Sequence, residues 1–169
     1  IQSVVLSHAH LDHSGMIPAL FQKSKPWLYT TAPTLDLSNI LWQDTLKIAE
    51  HEGTDAPFTQ EDIKTANKRS QILSYKQEAK IAPNVHISMY DAGHILGSAM
   101  TKITFDDKKS ILYTGDYKVE ETSLHEGADL EVDEIDYLMV ESTYGDRDHE
   151  PREEVEKSFI EAVRKTLNN

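Results

Sequence analysis

The stretch "SVVLSHAHLDHSG" constrains this chain more than any other. Four residues rich in β-branched types, Ser3 to Leu6, read as a buried strand. That strand runs straight into His8, His10, Asp12 and His13, four titratable side chains within six positions. Groups so close repel one another or compete for protons unless a cation holds them, and a metal ion is the simplest such cation. In an extended segment, side chains at i, i+2 and i+4 share one side, so the spacing predicts that His8, His10 and Asp12 converge while His13 turns to a second position. Two adjacent metals become possible. The chain has no cysteine, which excludes disulfides and thiolate sites and leaves any metal to imidazole and carboxylate ligands. Zinc suits such a set best, although manganese or iron would also be accommodated.

Two further motifs can complete the ligand set. "DAGHILGSAM" carries His94 between Gly93 and Gly97, where small residues let the backbone fold closely around an imidazole. "YTGD" puts Asp116 just past a strand. Alone, each has an ordinary reading as a surface histidine or a turn aspartate. Beside the first cluster, both read as ligands, because open ligand sets are completed by loops at strand ends. His51 and His125 read as solvent-facing loop residues and His86 as a half-buried strand residue, while His149 reads as a capping neighbour of Pro151 in preference to a residue lining the approach to the site. Trp27, Trp42 and Phe105 read as core.

The rest of the chain supplies an α/β frame. "MIPALFQK" suits a short helix, "WLYT" (27–30) a strand, and "TLDLSNILWQDTLKIAE" a longer helix with Leu37, Ile40, Leu41, Thr45 and Ile48 along one face. "TQED" at 59–62 resembles a capping box. From Gln71 to Asp116 the pattern is a meander of strands, with "DDKK" as a hairpin connection. "IDYLMVEST" reads as a central strand. "PREEVEKSFIEAVRKTL" reads as a helix with Pro151 in its first turn and Val155, Phe159, Val163 and Leu167 apolar. The 169 residues are the size of one domain, and a chain that opens inside a strand is expected to be cut from something longer. No apolar run long enough to span a membrane and no leader are visible, which makes the cytoplasm the default location.

Taken together, these motifs resemble a known family. "HAHLDHSG" resembles the signature of the metallo-β-lactamase fold. "DAGHILGSAM", "YTGDYK" and "ESTYGDR", in that order, resemble its β-CASP nuclease branch, most nearly the cleavage and polyadenylation specificity factor type with its archaeal relatives. Members similar to ribonuclease J or to DNA-repair nucleases usually carry Asp where this chain has Glu141, so the likeness favours RNA. It implies a four-layer αββα sandwich, incomplete here, with residues 1–169 forming a partial domain that ends where a β-CASP domain would begin. It implies a first zinc on His8, His10 and His94, a second on Asp12 and His13, and Asp116 bridging the two. Asp12 would also orient the nucleophile, and Glu141 would position a proton donor without binding metal. Two later histidines of the family fall outside this chain.

The activity so implied is zinc-dependent hydrolysis of RNA phosphodiesters by a two-metal mechanism, in mRNA 3′-end processing or RNA decay, with little turnover by these residues alone. RNA is then the partner, with a second copy or processing-complex subunits as protein partners and no organic cofactor. Substrate-binding residues are not indicated. One objection stands against RNA: seventeen Lys and Arg face twenty-nine Asp and Glu, a net charge of −12, whereas phosphate backbones are normally gripped by clustered positive charge. The rival readings are a small-molecule hydrolase of the same fold, which would leave "ESTYG" without a role, and a non-catalytic scaffold subunit, which would characteristically lose metal ligands.

Overall fold

The computed structural model describes residues 1–168. Two sheets organise it. The first has three parallel strands in the order β1 (Ser3–Val5), β2 (Trp27–Thr30), β3 (Ser70–Ile72). The second has five strands in the order β4 (Glu78–Ala82), β5 (Val85–Asp91), β6 (Ala99–Phe105), β7 (Ser110–Tyr113), β8 (Tyr137–Met139), antiparallel except for the β7–β8 pair. "ILSY" therefore does not join the meander as its composition suggests. Its first residue ends β3, which pairs parallel with β2 in the other sheet.

Helices cover the outer face of the first sheet. Helix α2 (Ala32–Glu52) is capped by Thr31 and stopped by Gly53 in the left-handed region. Helix α3 (Gln60–Lys68) carries the expected capping box, with Thr59 and Asp62 bonding reciprocally. The expected helix after Gly15 is a 3-10 helix, Pro18–Gln22. Between these elements and the sheet lies a core of Leu6, Phe21, Leu28, Trp42, Phe58 and Ile63. A second core, Tyr29, Leu73, Ile87, Met89 and Ala99, lies between the sheets. Tyr90, Met100 and Leu112 on the far side of the second sheet pack against Tyr117, Ala128, Val132 and Ile135 from the connection between β7 and β8. The helices, two sheets and outer segment follow the layered mixed α/β arrangement that the motifs imply.

Four expectations change. The buried face of α2 is Thr34, Ser38, Trp42 and Ala49, whereas Ile40 and Ile48 are exposed, because Trp42 anchors the helix and sets its rotation. Strand β8 is apolar but lies at the sheet's edge and not in its centre, with Tyr137, Leu138 and Met139 exposed. Helix α4 (Arg152–Leu167) forms as its pattern predicts yet buries no residue. Trp27 and Phe105 also leave the core; Trp27 lies at the surface under the Arg69 guanidinium, 4.3 Å from its ring centre. Among the described residues no helix is long and apolar enough to cross a membrane.

Candidate metal centre

The site forms where the carboxyl end of β1 meets the second sheet. The Ala99 N–H donates to the Ser7 carbonyl at 2.8 Å, joining the two sheets at this edge. Beyond β1 the chain stays extended only through His10, which is the N-cap of a single helical turn, α1 (Leu11–Ser14). The alternation argument thus holds for His8 and His10 but not for Asp12. The helical turn points Asp12 toward solvent, while the His13 ring packs beside His8 with centres 4.1 Å apart. The turn is held in place by Ser14, whose hydroxyl donates to the Ala9 carbonyl at 2.6 Å and whose carbonyl accepts from the Trp42 indole at 2.9 Å.

His94 arrives on the loop between β5 and β6. Thr31 and Thr34 donate their hydroxyls to the Gly97 carbonyl at 2.6 and 2.8 Å, clamping that loop to the start of α2. Gly97 has φ +80°, and a Cβ there would lie 2.8 Å from the Thr31 hydroxyl, so both backbone shape and space require glycine. Asp116 follows β7 through Thr114 and Gly115.

Four side chains converge. His8, His10, His94 and Asp116 each offer a ligand atom within 4.8 Å of the others. His10 Nδ1 and His94 Nε2 are 3.1 Å apart, while Asp116 Oδ2 lies 3.6 Å from both His8 Nε2 and His94 Nε2. Ligands bound at about 2.0–2.1 Å around a tetrahedral zinc are separated by about 3.3 Å, so these spacings match the edges of such a tetrahedron. The carboxylate contacts are too long for hydrogen bonds.

His8 Nε2 provides a stricter test of fit. The residue is fully buried, and this nitrogen has no hydrogen-bond partner, a condition that costs stability unless another species satisfies it. His8 Nδ1 is paired with the buried Ser7 hydroxyl at 3.1 Å, which fixes the ring and leaves Nε2 pointing at the cluster. Burial, and then the neighbouring His13, His10 and His94, pull the His8 pKa down to about 3, so the ring is neutral and its lone pair available. Burial and His10 likewise lower His94, against the opposing pull of Asp116 and Glu141. A divalent metal fits this donor set.

The second group is looser. His13 Nε2 lies 3.4 Å from Asp116 Oδ1 and 3.5 Å from Asp12 Oδ2, and the Asp12 side chain is 77% exposed. The two oxygens of Asp116 therefore face different groups, Oδ2 toward His8 and His94, Oδ1 toward His13. Glu141 sits just past β8 and accepts from the Tyr117 N–H at 3.0 Å. Its burial pushes its pKa up, but hydrogen bonds from Thr143 and Tyr117 and the nearby His94 outweigh that and hold it below the usual carboxylate range.

The remaining histidines separate cleanly. His51 is exposed on the last turn of α2, and His86 faces Glu78 at 3.2 Å from within β5. His149 makes no capping bond and lines a cavity beside Glu141. The N-cap of α4 is Pro151, without a side-chain cap, and the His149 ring stacks on Tyr144 with centres 3.9 Å apart. Sequence reasoning missed that stack and the Ser7 contact. The signal for Ser7 was only a hydroxyl residue preceding the first histidine, too common to single out.

Residues 1–142 match the family described as "Metallo-beta-lactamase superfamily domain". Among curated proteins, "Probable RNase MJ4" of Methanocaldococcus jannaschii is 41% identical over 99% of this chain and 40% of its own length. "RNase J-like protein" of the same organism is 42% identical over 100% of the chain and 38% of its own length. "Transcription termination factor FttA" of Methanococcus maripaludis is 40% identical over 99% of the chain and 27% of its own length. The chain thus spans well under half of each of these relatives. With the family match extending from β1 through Glu141, and so across every residue of both ligand groups, the chain belongs to the metallo-β-lactamase superfamily.

Proposed function

We propose that this chain carries the metal-binding core of a zinc-dependent ribonuclease that hydrolyses RNA phosphodiester bonds. The observation that carries the reading is the buried, neutral and unpartnered His8 Nε2 at the centre of a four-ligand cluster. The names of relatives matching nearly the whole chain, two RNases and a termination factor, supply the substrate class.

In this reading His8, His10, His94 and Asp116 would hold one zinc, and Asp12, His13 and Asp116 would hold part of another. Zinc, when bound, supplies Lewis acidity toward the phosphate and toward an attacking water. The chain's own residues do the positioning. Asp116 ties the two groups together through its separate oxygens, and the exposed Asp12 carboxylate accepts a hydrogen bond from a nucleophilic water and orients it. Glu141, kept ionised by Tyr117 and Thr143, orients the group that protonates the leaving oxygen. The likeness to β-CASP nucleases puts that proton donor, and the histidine completing the second group, on a further domain. The expected products carry a 5′-phosphate and a 3′-hydroxyl. An RNA partner met by metal ions and by such a further domain does not require this region to be basic, which answers the net charge of −12.

The test is zinc reconstitution of the purified chain, metal analysis, and incubation with labelled single-stranded RNA. We expect at least one zinc per chain and little or no turnover by these 169 residues. Absence of stoichiometric zinc overturns the metal assignment. Turnover of thioesters or lactones, with none of RNA by the longer protein, overturns the substrate.

A further inference from the structure

A cavity of about 430 Å³ opens beside the metal centre. Its inner wall is Tyr117, Lys118 and Glu141; its outer wall includes Thr143, Tyr144 and His149. Tyr117 directly follows Asp116, so the cavity begins one residue from the carboxylate that faces both ligand groups. The volume lies in the range of small-ligand sites, roughly 300–1,000 Å³, and holds one nucleotide.

The outer wall carries a close aromatic pair. The Tyr144 and His149 rings lie 3.9 Å apart and 34° from parallel, and the Arg147 guanidinium is 5.0 Å from the Tyr144 ring centre. Nothing in the core requires this arrangement. Tyr144 and its neighbours from Ser142 to Glu150 are exposed, and no core cluster includes any of them. An exposed, closely paired set of aromatic rings on the wall of a cavity is what a nucleobase selects, since every base offers a π face and stacking does not depend on net positive charge. That independence matters in a chain as acidic as this one.

Resting on the ribonuclease reading above, we propose that the cavity seats the nucleotide next to the scissile phosphate. Its base packs on the Tyr144–His149 pair, and Lys118 on the cavity wall meets its phosphate. The site adds no chemistry to the reaction; it sets where the backbone enters the metal centre.

The experiment is equilibrium binding of a short, fluorescein-labelled, phosphorothioate-linked single-stranded RNA to the zinc-loaded chain, read by anisotropy. Tyr144→Ala is expected to weaken binding about tenfold and His149→Ala somewhat less, while Tyr144→Phe stays within about twofold. Zinc stoichiometry and melting temperature stay unchanged in all three. If the parent binds RNA and Tyr144→Ala binds equally well, the nucleotide seat is overturned and the ribonuclease reading survives. A parent that binds zinc but no RNA overturns the nucleotide seat, while the substrate reading is decided on the longer protein as above. Should Tyr144→Ala fail to fold, Tyr144→Trp decides: added RNA quenches its emission if a base stacks there, and unchanged emission overturns the proposal.

Discussion

The two ligand groups share Asp116 and are built differently around it. The first draws its side chains from three separate segments, the end of β1, the loop between β5 and β6, and the turn after β7. One of its members, His8, is wholly buried. The second takes Asp12 and His13 from one helical turn, and Asp12 stands mostly in solvent. A group assembled from distant segments exists only when both sheets are folded and joined, so its geometry is preorganised by the fold. A group on one exposed turn keeps its carboxylate hydrated and pays little for staying metal-free. On the proposed assignment, the difference predicts that loading of the first group is coupled to stability, while the second binds weakly and exchanges.

Replacing His8 should show that coupling most strongly. At zinc a hundredfold above its dissociation constant, a single site adds about 2.7 kcal/mol to folding stability. His8→Ala is expected to abolish that gain in thermal melts with and without zinc. The metal-free protein should lose less than a buried substitution normally costs, because the variant also removes an unpartnered buried nitrogen. A His8→Ala chain that zinc still stabilises fully would break the distinction between the groups.

Acid should act through the same residue. The His8 pKa is lowered from 6.5 to about 3 in the folded chain. Between those values the unfolded chain holds a proton that the folded one refuses, so stability falls as pH drops through this window and levels off below it. One proton gives a slope of at most about 1.4 kcal/mol per pH unit. Zinc competes with that proton for Nε2, so zinc affinity should weaken over the same range. Chemical denaturation of the metal-free chain at successive pH values measures the slope, and a flat profile from neutrality to pH 4 would contradict it.

Much of this architecture was legible from residue types and order. His8, His10, His94 and Asp116 could be named because each follows or interrupts a recognisable strand pattern. What could not be read was where local structure changes. Nothing in "HLDHSG" says that the chain turns helical at Leu11, since the Trp42 indole that anchors the turn comes from another segment. Apolar pattern also predicted helix α4 without predicting its exposure. Phe159 is 68% exposed although its spacing is that of a buried face. Periodicity reports that a face is able to be buried; contact with a partner decides whether it is. Trp42 and Trp27 make the same point, one at the centre of the core and the other under an arginine at the surface.

The looser group offers the next test. Asp12→Asn removes one charge from an exposed carboxylate and should leave zinc-dependent melting intact. Titration beyond the first equivalent should lose its second, weaker phase. Loss of both phases would mean that the groups load as one unit, and the contrast drawn from burial would not hold.

The smallest expected effect lies one contact away from the metal. The Ser7 hydroxyl pairs with His8 Nδ1 inside the core and holds the ring so that Nε2 faces Asp116. A partner of this kind fixes the tautomer and orientation of a ligand histidine, and losing one weakens metal binding by about 10- to 100-fold. Ser7→Ala is expected at the lower end, since packing on both sides also restrains a ring with no exposed surface. Ser7→Cys restores a weak hydrogen-bonding group and should recover part of the affinity, which a purely steric role would not produce. Competition for zinc against a chromophoric chelator resolves a tenfold change. If Ser7→Ala binds zinc as tightly as the parent, the strength of the first group comes from burial alone, and the second group is weak for want of burial and not for want of a bonded partner behind its histidine.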